Sequence, residues 1–232
     1  MVLVWQGGET QRYDTRNIAA PVLAETLDLV PDPEAHVSAL EFLLGQQTLL
    51  VGDSTGLVGA WFLVREEENP RTPDGWVLVR GHALPGPATA VTALASSQRT
   101  RTALLGYADG SVRLYNVTTE RSLAEFSLPT REAASAVALA PKDNAVVVMG
   151  GGQLSRWDID MMHPEGAMSA LFLPVWYEGM PGPQHIWQSS SGDDAFEPKL
   201  GLVPLIFGTF KATLYAMLFG VPVALLAAIY TS

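Results

Sequence analysis

Four stretches of this chain can be laid over one another, and that repetition limits the possible folds more than any other feature. They are VLVWQGGETQRYD (2–14), LLVGDSTGLVGAWF (49–62), ALLGYADGSVRLYN (103–116) and VVVMGGGQLSRWD (146–158). Each is a short apolar run, a Gly-rich or Asp-Gly turn, and a second run ending on an aromatic. The aromatics are Tyr13, Trp61, Tyr115 and Trp157, spaced 48, 54 and 42 residues apart. Tight hairpins need positive φ in the turn, which Gly and Asp-Gly supply at little cost. Ahead of three hairpins stands a strand candidate built of small residues, at 37–43, 90–96 and 134–140. Behind three of them stands a more polar candidate: Val22–Val30, Trp76–Leu84 and Arg121–Ser127.

Four strands per unit, at a period of roughly 40–50 residues, predict a mainly β chain with a β-propeller over residues 1–160 and about four blades. The small first strands suit a crowded centre, and the terminal aromatics suit packing between blades. DGSVRLYN and RWDID resemble the third-strand ending of WD40-type repeats, although the Gly-His element and a strict Trp-Asp pair are missing. A two-sheet sandwich is the competing architecture. The first unit starts at its second strand, and no outer strand is visible after Ile159. The ring is therefore expected to be incomplete here and the chain to be a fragment, closed by residues upstream of Met1.

The far end reads differently. Residues 200–232 hold one charge, Lys211, and the other 199 residues carry 13 basic and 24 acidic side chains, a net of about −11. An acidic domain of that kind repels nucleic acid and anionic lipid. From Ala212 to Tyr230 run 19 uncharged residues, close to the ~20 that cross a ~30 Å hydrocarbon core. One transmembrane helix is expected over most of Leu202–Tyr230. It is marked by Pro204, Gly208, Lys211, Gly220 and Pro222, with a bend near Gly220–Pro222. Glycine, proline and a lone lysine suit a helix packed among other membrane helices. Residues 161–199 read as a linker and lead-in. Its aromatics Trp176, Tyr177 and Trp187 are candidates for the headgroup level. The acidic run Asp193, Asp194 and Glu197 leans towards the non-cytoplasmic side, because basic residues favour the cytoplasmic bank.

No catalytic constellation stands out. Gly150-Gly151-Gly152 precedes a strand rather than a helix, so a hairpin turn explains it better than a phosphate loop. Asp53 and Asp109 hold equivalent turn positions, where Asp serves by local hydrogen bonding. Ser189-Ser190-Ser191-Gly192 lacks the glycine that precedes the serine in a nucleophile elbow. His36, His82, His163 and His185 share no metal-ligand spacing, and a solvated or capping role is expected for them. Asn116-Val117-Thr118 matches a glycosylation acceptor, a pattern common by chance. The chain has no cysteine, which excludes disulfides and thiol chemistry. Neither a cofactor nor an enzymatic reaction is expected.

Residues 176–232 resemble the start of the permease core of bacterial phosphate ABC importers. The lead-in carries Trp and acidic residues. The run Gly201-Leu202-Val203-Pro204-Leu205-Ile206-Phe207-Gly208-Thr209 follows, then Val221-Pro222 and Ala228-Ile229-Tyr230. A subset of that family inserts a large extra domain before this core. The resemblance implies phosphate import across the bacterial inner membrane by a multi-pass protein. It also implies a second permease subunit, a separate ATP-binding subunit and a periplasmic phosphate-binding protein as partners, with the repeat domain in the periplasm. It implies further membrane helices outside this chain, without which nothing is transported. The alternative is a membrane-anchored propeller that serves protein interaction without transport.

Overall fold

The computed structural model describes residues 1–68, 70–192 and 196–232. The chain is mainly β, with consecutive antiparallel meanders and a C-terminal apolar helix. The first sheet holds β1 (Val2–Val4), β2 (Glu9–Asp14) and β3 (Val22–Asp28). The second holds β4 (Val37–Phe42), β5 (Thr48–Asp53), β6 (Val58–Arg65) and β7 (Trp76–Leu84). The third holds β8 (Val91–Ser96), β9 (Thr102–Tyr107), β10 (Ser111–Asn116) and β11 (Arg121–Ser127), and the fourth β12 (Ala134–Leu139), β13 (Ala145–Gly150) and β14 (Gln153–Asp158). Turns fall at Gly7-Gly8, within Asp53–Gly56, at Asp109-Gly110 and at Gly151-Gly152, as the repeat predicted.

The repeat is also visible in its irregularities. The pairing of third with outer strand shifts register just before Tyr13, Trp61 and Tyr115. The pairing of first with second strand shifts between Val37 and Ala39, Val91 and Ala93, and Ala134 and Ala136. A bulge at the same place in successive units sharpens the twist there, so each sheet is bent alike.

Burial explains why some strands are continuous apolar runs. β5 and β9 are buried along their whole length. Alternate side chains of a strand face opposite ways. Leu49 and Val51 therefore join Leu29, Val30, Trp61 and Leu78 between the first and second sheets. Leu50 points the other way and joins Val58, Leu84, Val91, Leu105, Tyr107 and Tyr115 between the second and third. Leu104 in turn packs with Val112, Leu114, Leu128, Val146 and Val148 between the third and fourth. Each inner sheet thus has two apolar faces, and the core is a series of three interfaces. The outer faces of the end sheets show Leu3 and Trp5 at one end and the paired Met149 and Leu154 at the other, all exposed.

Glycines at equivalent places set the spacing between sheets. A Cβ on Gly52 of β5 would lie 2.7 Å from Val91 Cγ1 of β8. A Cβ on Gly106 of β9 would lie 2.8 Å from Ala134 Cβ of β12. In each case the second strand of one sheet admits the first strand of the next only because a side chain is missing.

After β14 come α1 (Met168–Phe172), the two-stranded pair β15 (Trp187–Gln188) and β16 (Lys199–Leu200), and α2 (Val203–Thr231). The series of sheets is open, and the first and fourth sheets have three strands each among the described residues. The expected four-stranded meander is therefore met in the second and third units.

Candidate functional site

The region with unusual chemistry is the segment that carries the chain from the β-domain into α2. It does not run as an extended tether. Residues 173–192 and 196–202 fold back on the sheets as a strap. Val175 bridges to Gln184, and β15 pairs with β16. The Gly201 amide donates to Ile186 O at 2.8 Å and the Leu202 amide to Leu171 O at 2.8 Å. A Cβ on Gly201 would press on the Ile186 backbone at 2.9 Å. The entrance to α2 is thus fixed by backbone contacts on two sides.

Two of the three expected interface aromatics are used inside the domain. Trp176 stacks edge-on against Phe62 of β6 at 5.7 Å between ring centres, and its indole Nε1 donates to Met180 O. Tyr177 is 4% exposed. Burial raises its phenol above the usual range. A ring so enclosed cannot lie among lipid headgroups, so a headgroup place for Tyr177 is corrected to one in the domain core. Trp187 on β15 is exposed and remains available.

Several ionisable groups gather beneath the strap. His82 of β7 is buried; its Nε2 lies 2.9 Å from Trp176 O and its Nδ1 3.3 Å from Glu120 Oε1. Glu120 is held below the ordinary carboxylate range, first by that contact. Arg101 pairs with Glu178 of the strap, both largely buried. Glu197 is 9% exposed and one of its carboxylate oxygens has no partner among the described residues. Loss of hydration pushes its carboxyl up, opposed by a hydrogen bond from Thr118 and by Arg101 and His82. This cluster is not legible in the sequence, because Glu197 stands close to Asp193 and Asp194 and reads as part of a solvated acidic run. Asp193 and Asp194 lie outside the described residues.

All five residues that marked the tail lie on α2. Pro204 takes the first turn, where its missing amide hydrogen costs nothing. Gly208 and Gly220 face open space. Lys211 lies over the Tyr215 ring at 5.8 Å. The helix continues through Pro222. It is 29 residues long, no residue of it is buried, and it is long and apolar enough to cross a membrane. Thr209, Thr213 and Thr231 turn their hydroxyls onto carbonyls one turn back. No hydroxyl on these three therefore needs water, as a non-aqueous surrounding requires.

The remaining sequence candidates serve the fold. Asp53 Oδ1 accepts from the Thr55 amide and hydroxyl and from the Leu57 amide, and Asp109 Oδ1 accepts from the Ser111 amide and hydroxyl. Asn116 Oδ1 is taken by Thr119 and Asn116 is buried, so the acceptor pattern there is a turn. Ser189–Gly192 is an exposed loop. Among the described residues no group of three acidic or histidine side chains could hold a metal ion.

No protein-family model matches the chain, and no curated protein matches it. Solved structures do share its fold. A crystal structure of the computationally designed Ika4 protein aligns with a TM-score of 0.50 at 22% identity, over 68% of this chain and 84% of that one. A chain in a crystal structure of the Mitotic Checkpoint Complex aligns with a TM-score of 0.50 at 12% identity, over 71% of this chain and 46% of that one. At these identities the likeness concerns the fold alone.

Proposed function

We propose that this chain is part of the permease subunit of a bacterial phosphate ABC importer, in which a β-propeller-type domain is joined rigidly to the first helix of the transport core. One observation carries the membrane part of this reading. α2 is apolar around its circumference apart from Lys211, and no residue of it is buried. Leaving that surface in water costs about 25 cal/mol for each Å², so the helix needs lipid or other helices around it. Small residues at Gly208, Ala212, Ala216, Gly220, Ala224 and Ala228 recur every fourth position. Such a stripe lets another membrane helix approach closely and supports a bundle over a plain anchor. Propeller geometry is supported by the consecutive sheets stacked face to face and by their repeated bulges. Phosphate as the cargo, and the partner subunits that go with it, rest on the resemblance of residues 176–232.

The test is uptake. Disrupting this reading frame in its host should abolish high-affinity entry of radiolabelled phosphate, and supplying the intact gene should restore it. Unchanged uptake sinks the transport reading and leaves the alternative, a membrane-anchored module for protein interaction.

A further inference from the structure

The β-domain carries a second apolar surface, separate from α2 but continuous with its start. α1 buries Ala170 and turns Met168 and Phe172, four residues apart, outward on one face. Leu173 follows them and is 59% exposed. The Leu171–Leu202 hydrogen bond places this face beside the first turn of α2, where Leu205 is exposed. From the other side comes Trp187, exposed on β15 and paired with Leu200 three residues before the helix. Three short segments, spread over residues 168–205, thus bring exposed apolar side chains to the entry of α2.

We propose that Met168, Phe172, Leu173 and Trp187 form a docking surface for the lipid headgroup and upper acyl region, which seats the β-domain on the bilayer around α2. The proposal rests on the reading that α2 spans the membrane. Lipid is the occupant because the surface is continuous with the helix that lipid surrounds. A helix of 29 residues is about 43 Å long, and a bilayer with its headgroups is about 40–45 Å thick. Val203 then lies at the headgroup boundary, level with the four side chains. Lys211 lies about 12 Å along the axis, within reach of that boundary by snorkelling. Trp and Phe at such a level contribute through their amphipathic or apolar rings. The backbone contacts of Gly201 and Leu202 hold the surface at a fixed height, which a flexible tether would not.

The absence of cysteine allows single-site labelling. Phe172→Cys, Leu173→Cys and Trp187→Cys are made in the full chain, with Leu154→Cys on the outer face of the fourth sheet and Leu218→Cys in mid-helix as references. Each carries a nitroxide and is reconstituted into zwitterionic phosphatidylcholine–phosphatidylethanolamine vesicles, which do not repel the acidic domain. Collision with oxygen and with a water-soluble nickel chelate then reports depth. The expected result is a several-fold higher oxygen-to-nickel ratio at 172, 173 and 187 than at 154, and a higher one still at 218. A deep label at 218 with aqueous ratios at 172, 173 and 187 overturns the docking surface and leaves the span intact. Low access to both reagents at 172, 173 and 187 means protein covers them, which also overturns it. An aqueous ratio at 218 overturns the span and this proposal together.

Discussion

Two buried carboxyl groups give the chain opposite responses to pH. Asp74 lies against Arg12, which also meets Glu25, and all three are largely hidden between the first two sheets. The hydrogen bond to Arg12 holds the Asp74 carboxyl well below the ordinary range. Its contribution is therefore complete at neutral pH and is lost as pH falls below about 4, where the unfolded chain takes up the proton first. Glu197 works the other way. Its folded pKa is raised, so below about 4.5 the group is protonated in both states and carries no penalty. As pH rises the unfolded chain ionises first, and stability drops until the folded pKa is passed. Glu197→Gln should consequently stabilise the domain at pH 7 by on the order of 1 kcal/mol and leave it unchanged at pH 4. Denaturant unfolding in detergent at the two pH values measures this. A variant less stable than the parent at pH 7 would show that the charged form of Glu197 is needed under the strap.

At the scale of elements, the sheets hold their spacing through absent side chains as much as through present ones. Gly106 sits where β9 meets β12, and Ala134 and Val137 of the fourth sheet would both lie within 3 Å of a new Cβ. The neighbours belong to a packed strand and cannot swing away. Gly106→Val is expected to cost about 1–3 kcal/mol by overpacking, seen as a lowered unfolding midpoint with an unchanged denaturant slope. The same substitution at Gly152, a turn glycine with open space around it, has no such crowding to overcome but must hold a φ of 71°. A loss at Gly106 no larger than that of an exposed surface substitution would refute the close-approach argument. The strap is a second element-scale device. Phe62, Trp176 and His82 lock residues 173–180 onto β6 and β7, so any movement of α2 reaches the second sheet through side chains rather than through slack chain.

For the whole molecule, the side of the membrane that holds the β-domain follows from the proposed function. With the domain in the periplasm, its acidic surface would favour docking of a binding protein through basic patches and would be weakened by salt. A cysteine placed by Ser190→Cys, in the exposed stretch Ser189–Gly192, should react with a membrane-impermeant thiol reagent in cells whose outer membrane alone has been permeabilised. Labelling only after the inner membrane is broken would put the domain beside the ATP-binding subunit and remove the docking role.

Local chemistry was enough to place the strands and the apolar helix. Turn residues and the repeat positioned β4, β7, β8 and β11 within about one residue of their bounds, while β6 runs three residues past the expected end, to Arg65, because each hairpin is specified by neighbours in sequence but a strand's length is not. The length and uniform apolarity of α2 needed no tertiary information, since its surroundings are not the rest of the chain. The aromatics of the strap were another matter. Trp176, Tyr177 and Trp187 look alike in sequence, and only the packing of Phe62 and the pairing of β15 with β16 decided which two turn inward and which stays out. Glu197 was equally opaque, since a carboxylate three and four residues from two others carries no sign that Thr118, Arg101 and His82 will enclose it. Those partners come from elements far away in the chain, and long-range contacts of that kind leave no periodic trace. Local pattern thus specifies the meanders and α2, whereas α1, β15, β16, the burial of the strap and the fixed entry into α2 arise only from packing, because they depend on surfaces that exist once the sheets have stacked.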